Sequence, residues 1–235
     1  ALKDMGHLDF EEPFTKFRKH GLIIREGAKM SKSKGNVIVP DPIIEEYGAD
    51  TFRTYLMFLG PFEEGGDYRA EGIQGPHGFL HRLWDTVVSS DADAAPDVDV
   101  ERKVHQTIKQ VTEQLPELGY NTAIAALMEC LNTVRSGGRT AARAEIEPLV
   151  VMVAPFAPHM AEELWERLGH TGSVFDGANW PRYEEAKLVE DTVTLAVQVN
   201  GMLRGSIDVA KDAAEADVIA AARADDNVAR HLQGT

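Results

Sequence analysis

The residues best suited to chemistry are two lysines three positions apart, Lys29 and Lys32, with Lys34 close behind. Lysine is a compact cation on a flexible stem, and the serines and glycine around it let a backbone bend closely around phosphate oxygens. When a carboxylate attacks the α-phosphate of ATP, negative charge builds on the departing pyrophosphate. Preorganised cations stabilise that transition state, and losing one such donor costs about 3–4 kcal/mol. The alternative is a solvated basic loop, the usual meaning of a short charge run.

Residues 21–25 predict a short strand that leads into this loop. Pro40 predicts the start of a helix that ends near Gly48, and residues 49–59 predict a second helix. We interpret Asp50 and Arg53, which lie on this second helix, as a structural pair at its end.

The chain from about residue 69 to 169 has the apolar periodicity of helices. We expect the stripes to form the core of a helical bundle, with Pro158 in the first turn of its last helix. His159 lacks a second ligand at metal-binding spacing, so we interpret it as structural. The stripe positions are Val104, Ile108, Val111 and Leu115; Ile124, Leu127, Met128, Leu131 and Val134; and the apolar run 146–153.

The C-terminal stretch alternates apolar and polar residues on both sides of Asn200-Gly201, which predicts a β-hairpin. Keeping the apolar residues on one face favours a three-residue turn, residues 200–202, with Val199 opposite Leu203 and Leu195 opposite Ile207. In that register Arg204 shares the solvent face with Gln198. Helices are predicted from about 213 to 224 and from 226 to 232.

Composition excludes several classes of protein. The net charge of −14 argues against a protein that coats nucleic acid, although residues 27–40 hold three lysines and no acid. Cys130 is the single cysteine, so the chain has no internal disulfide and no cysteine zinc cluster. No metal site is predicted. The absence of a long apolar run and the single cysteine favour the cytoplasm.

The string from Lys29 to Ser33 matches the KMSKS signature of class I aminoacyl-tRNA synthetases, and its flanks from Gly21 to Arg53 resemble that family as well. Further stretches resemble the leucyl enzyme. They are residues 57–61, 120–124, 127–129, 155–165, 180–181, 197–201 and 203–205. The isoleucyl, valyl and methionyl enzymes share the loop and the bundle, and they remain alternatives.

This resemblance implies a mainly α fold: a helical bundle of the class Ia anticodon-binding type, preceded by the KMSKS loop end of a nucleotide-binding α/β domain and followed by a small α/β unit. The implied domains are residues 1–60, with the loop and stem-contact helices; residues 61–187, the bundle; and residues 188–235, a C-terminal tRNA-binding unit.

The resemblance also implies roles for residues. Lys32 would be the principal phosphate ligand and Lys29 its helper, which makes these two the catalytic residues. Met30, Ser31 and Ser33 would complete the ATP-binding loop. The substrates would be ATP, with Mg²⁺ accompanying it, leucine and tRNA(Leu).

We assign tRNA contacts to Lys34 and Arg204. Met202 stands where the leucyl family usually has lysine, which weakens the case for a phosphate contact at the hairpin tip.

The other half of the active site would lie upstream of Ala1. We therefore expect a fragment, or one subunit of a split enzyme with a separate N-terminal subunit, that is inactive alone. In a structure of the chain alone, residues Lys29 to Ser33 are expected to be mobile or loosely ordered. A non-catalytic tRNA-binding module is the alternative from another class, and an intact phosphate-binding loop argues against it.

Overall fold

The computed structural model describes residues 1–12, 14–188 and 192–232. Two compact units divide the chain, residues 1–184 and residues 185–235. The first unit holds both the lysine loop and the helical bundle, and the predicted boundary at residue 60 stays a prediction. None of the described helices has the length and apolarity needed to cross a membrane.

The first unit begins with a small sheet and two helices, followed by the helices of the bundle. In chain order its elements are β1 (Leu22–Arg25), β2 (Ala28–Lys29), α1 (Pro40–Tyr47), α2 (Ala49–Phe58), β3 (Gly65–Tyr68), α3 (Gln74–Val88), α4 (Val98–Gln114), α5 (Tyr120–Arg135), α6 (Arg143–Val153), α7 (Pro158–Arg167) and α8 (Val174–Gly177). The second unit contains β4 (Thr192–Val199), β5 (Met202–Ala210), α9 (Glu215–Ala224) and α10 (Asp226–Leu232). The mainly α fold is therefore confirmed.

The bundle core lies where the apolar stripes predict it. One contiguous cluster joins the inward faces of α3 to α8, including Val104, Ile108 and Val111 of α4 and Leu131 of α5. Leu115 and Met128 pack against this cluster while remaining partly exposed. A side chain every three or four residues reaches the core, so the 3.6-residue period was sufficient to locate these faces.

The small sheet has the strand order β2-β1-β3. Strand β1 is antiparallel to β2 and parallel to β3, with Leu22 opposite Gly65 and Arg25 opposite Tyr68. Strand β3 was not predicted from the sequence, because Gly65, Gly66 and Asp67 are residue types depleted in strands and only Tyr68 favours one. Glycine is required there: a Cβ on Gly65 would lie 2.2 Å from the Leu22 carbonyl oxygen, and φ is +80°.

The hairpin of the second unit corrects the predicted turn. Asn200 and Gly201 alone form the turn, with φ of 52° and 79°, so that Val199 lies opposite Met202 and Gln198 opposite Leu203. Asn-Gly readily adopts this two-residue turn, in which both φ angles are positive. The surplus residue is taken up by a β-bulge at Arg204, beyond which Leu195 lies opposite Ile207 as predicted.

Candidate functional site

The lysine loop (residues 29–36) begins at the end of a tight hairpin. Arg25 and Ala28 flank the turn, in which Glu26 and Gly27 have φ of 54° and 73°. Because β2 is only two residues long, Lys29 lies at the point where the strand gives way to the loop. The short strand therefore fixes the base of the loop on the sheet.

The second lysine lies on a short 3₁₀ turn, residues 32–34. The Lys34 N–H donates to the Ser31 carbonyl at 3.1 Å, and the Gly35 N–H donates to the Lys32 carbonyl at 3.2 Å. Gly35 ends the turn with φ of 65°, a left-handed conformation that glycine adopts at little cost. The turn thus reverses the chain immediately after Lys32 and Lys34.

The loop has one inward side chain and several outward ones. Met30 is half-buried and packs against the apolar cluster formed by Tyr55, Tyr68 and Ile73. Lys29 and Lys32, in contrast, are exposed. Met30 thus attaches the loop to the helices behind it and leaves the ammonium groups facing solvent.

Hydrogen bonds within the loop fix its backbone. The Ser31 N–H donates to Asn36 Oδ1 at 2.8 Å, and Asn36 Nδ2 donates to the Lys29 carbonyl at 3.3 Å. The Ser31 and Ser33 hydroxyls bond to each other at 2.8 Å. Sequence reasoning missed the part played by Asn36; its place just after the left-handed glycine was the available signal.

The electrostatics of the loop favour an anionic ligand. Within the part of the chain that the structure describes, the ammonium groups of Lys29, Lys32 and Lys34 pair with no carboxylate. Glu26, two residues before β2 begins, forms an ion pair with Arg25 at 3.5 Å. The three positive charges are therefore available to phosphate oxygens.

Six of the seven predicted site residues lie on the lysine loop of the first unit, and the seventh, Arg204, belongs to the second unit. Lys29, Met30, Ser31, Lys32, Ser33 and Lys34 share the loop. Arg204 lies in the second unit at the bulge of β5. It was predicted to lie on the solvent face of the hairpin, but it is half-buried. Its Nε is buried and has no hydrogen-bond partner among the described residues, and one Nη contacts the Met202 sulfur at 3.7 Å.

Asp50, Arg53 and His159 take structural positions, as predicted for His159. Asp50 and Arg53 do not pair with each other, which corrects the interpretation of a helix-end pair. His159 Nδ1 contacts one oxygen of Asp50 at 2.8 Å, and the Met160 N–H donates to the other at 2.7 Å. Arg53 donates to the Pro155 carbonyl at 3.2 Å. Both α2 side chains therefore hold the segment that begins α7.

Two family models match the chain. "Anticodon-binding domain of tRNA ligase" matches residues 97–220, and "tRNA synthetases class I (I, L, M and V)" matches residues 5–65. Among curated proteins, the leucine–tRNA ligases of Geobacter sp. strain M21 and Herpetosiphon aurantiacus are 42% and 44% identical over the whole chain. The chain belongs to the family of tRNA ligases with this anticodon-binding domain, and its whole length is similar to the C-terminal part of leucine–tRNA ligases.

The chain spans about a third of its relatives' length: 31% of the Geobacter protein and 30% of the Herpetosiphon protein, in their C-terminal part. A solved LeuRS–tRNA–LeuAMS complex from Agrobacterium radiobacter K84 matches 99% of the chain and 33% of that protein, with a TM-score of 0.71 and 30% identity. A Mycobacterium tuberculosis methionyl-tRNA synthetase bound by methionyl-adenylate matches 65% of the chain and 38% of that protein, at a TM-score of 0.51 and 19% identity, and shares the fold.

Proposed function

We propose that this chain supplies the ATP and pyrophosphate clamp and the tRNA-binding bundle of a leucine–tRNA ligase. The complete enzyme would join leucine to ATP, releasing pyrophosphate and forming leucyl-adenylate, and would then transfer leucine to the terminal ribose of tRNA(Leu). The observation that carries the proposal is the lysine loop, with its backbone held from within, its Met30 packed on the helices behind it and its lysines exposed.

In the adenylation step, the attacking leucine carboxylate adds to the α-phosphorus and the bond to the bridging oxygen of pyrophosphate breaks. The electron pair of that bond leaves with pyrophosphate. Lys32 would face the oxygens that gain this charge, and Lys29 would assist from the end of β2. Cations fixed before the reaction need little reorganisation when charge develops, so their effect falls mainly on the rate of adenylation.

Mg²⁺ would accompany ATP as its complex. The loop offers ammonium groups and hydroxyls, which are poor metal ligands compared with carboxylates. Among the described residues, no group of three or more His, Cys, Asp or Glu side chains is placed to hold a metal ion. We therefore assign no residue of this chain to the metal.

For the nucleic-acid partner, we propose phosphate contacts along a restricted strip of the first unit and at Lys34, with a further contact at Arg204. The support is the match to the anticodon-binding family and the likeness to the LeuRS in the tRNA complex. Contacts of this kind position a tRNA without reading its sequence. We also propose that the protein works in the cytoplasm.

The test is leucine-dependent exchange of pyrophosphate into ATP, measured with the chain alone and with the N-terminal part of the ligase added. We expect no exchange from the chain alone, and exchange from the pair with leucine in preference to isoleucine, valine or methionine. Failure of the pair, with tRNA binding retained, would favour a non-catalytic tRNA-binding module. Preference for another amino acid would assign the chain to a sister synthetase.

A further inference from the structure

The Asn36 side chain forms hydrogen bonds across the lysine loop with two backbone groups, one of Ser31 and one of Lys29. Its Oδ1 accepts from the Ser31 N–H at 2.8 Å, and its Nδ2 donates to the Lys29 carbonyl at 3.3 Å. A backbone N–H can only donate, so the atom that faces Ser31 must be the amide oxygen, which fixes the orientation of the carboxamide. Both polar atoms of Asn36 are therefore engaged by the loop.

The geometry of the β1–β2 hairpin explains why the Lys29 carbonyl and the Ser31 N–H can bond to Asn36. Arg25 and Ala28 close a two-residue turn and form the hydrogen-bonded pair, so the next pair, Ile24 and Lys29, is the non-bonded one. The Lys29 carbonyl thus points away from β1. In an extended strand the N–H two residues later points the same way, which places the Ser31 N–H on the same edge. Asn36 pairs with that edge as a residue of a neighbouring strand would.

This pairing keeps residues 29–31 extended beyond the end of β2. Successive side chains of an extended segment point to opposite sides. The alternation is what sends Met30 into the apolar cluster while Lys29 faces solvent. It also sets the point at which the 3₁₀ turn begins, and Lys32 is the first residue of that turn. The position of both lysines therefore depends on the Asn36 carboxamide.

We propose that Asn36 is a positioning residue for adenylation: it holds the loop backbone so that Lys29 and Lys32 face the departing pyrophosphate. The proposal rests on the proposed function, because it requires the lysines to act on phosphate. Asn36 acts through the loop backbone and does not touch the reacting atoms. Asparagine suits the position, since one planar group must supply both a donor and an acceptor.

Two variants remove the pairing in different ways. Asn36→Ala deletes the carboxamide, and Asn36→Leu keeps a similar volume without polar atoms. In the complete ligase, we expect either variant to lower kcat for pyrophosphate exchange about 10- to 100-fold, the loss that a misplacement of about 1 Å produces. The KM for leucine and the transfer of leucine from preformed leucyl-adenylate to tRNA should stay unchanged, whereas a general folding defect would impair both.

The matched control is Asn132→Ala, which removes an exposed asparagine from α5 in the bundle, away from the loop. We expect this variant to exchange pyrophosphate at the rate of the unaltered enzyme. Asn36→Gln should recover part of the lost rate, since its amide still offers a donor and an acceptor. Equal activity of Asn36→Ala and Asn132→Ala would overturn the proposal.

A double-mutant cycle with Lys32→Ala distinguishes a failure of the positioning role of Asn36 from a failure of the proposed function. If Asn36 works by placing Lys32, then Asn36→Ala should cost much less rate when Lys32 is already absent. Full additivity of the two losses would overturn the positioning role while leaving the lysine clamp intact. An unchanged rate for Lys32→Ala alone would instead contradict the proposed function.

Discussion

The Asp50 carboxylate accepts a 2.7 Å hydrogen bond from the backbone N–H of Met160, a residue 110 positions away. Asp50 lies on α2, and Met160 is the third residue of α7, so the carboxylate caps a helix of the bundle from outside that helix. A negative charge is favourable at a helix N-terminus, where N–H groups lack intrahelical acceptors. The contact thus joins the helices behind the lysine loop to the bundle.

Removing this cap should weaken the first unit. We expect Asp50→Ala to lower the free energy of unfolding by about 1–2 kcal/mol, as the loss of a helix cap does. Asp50→Asn should cost less, because its amide oxygen still accepts from Met160. Urea denaturation followed by circular dichroism measures both. His159→Ala is the control: its side chain is 78% exposed, so its effect should be under about 0.5 kcal/mol. An Asp50→Ala effect no larger than that of His159→Ala would refute the cap.

The space around two glycines, Gly65 in β3 and Gly75 in α3, predicts opposite effects when each is replaced by alanine. A Cβ on Gly65 would lie 2.2 Å from the Leu22 carbonyl oxygen, and we expect Gly65→Ala to destabilise the chain by roughly 3 kcal/mol. Gly75 lies in α3 with no atom within 4 Å of its Cβ position, so Gly75→Ala should stabilise by up to about 1 kcal/mol. Equal shifts in the urea midpoint would show that the β1–β3 pairing is wrong.

The buried thiol of Cys130 should be unreactive in the folded chain. Burial raises its pKa from 9.0 to about 11. Only about one thiol in a thousand is then ionised at pH 8, and thiolate is the reactive form. We expect dithionitrobenzoate to label Cys130 in guanidinium chloride but not in buffer at that pH. Rapid labelling of the native chain would show that α5 does not lie in the core as described.

The raised pKa of the Cys130 thiol also determines the direction in which pH changes the free energy of unfolding. A folded-state pKa above the ordinary value means that the folded chain favours the neutral thiol. This contribution is complete below pH 9 and is lost as the pH rises toward 11. The difference in unfolding free energy between the unaltered chain and Cys130→Ala should therefore shrink over that range. A constant difference would contradict the buried position of the thiol.

The elements predicted from the sequence are those marked by a local residue signal or by a periodic apolar pattern. Helices α4 and α5 follow from apolar residues every three or four positions, and α7 begins at Pro158 as the fixed φ of proline favours. Strand β3 could not be predicted, because its pairing with β1 depends on an approach that only the folded chain reveals. In the hairpin, the apolar pattern gave the register beyond the bulge, but it could not show that the Asn-Gly turn stays short and that Arg204 absorbs the extra residue.

The sequence suggested residues for the candidate site, whose roles stay predictions, but it did not reveal which residues hold the loop in place. Lys29 and Lys32 were recognisable from residue type and spacing. Asn36 was not, because its function depends on which edge of β2 is free. The partners of Asp50 lie more than a hundred residues away, and a single sequence carries no signal that joins such distant positions.

Leucine-dependent pyrophosphate exchange by Lys32→Ala in the complete ligase tests the central claim most directly. We expect the rate to fall by about 100-fold or more, as it does when one donor that stabilises developing charge is removed. Lys211→Ala, which removes an exposed lysine from the second unit, should exchange at the unaltered rate. An unchanged rate for Lys32→Ala would contradict the assignment of the loop as a phosphate clamp.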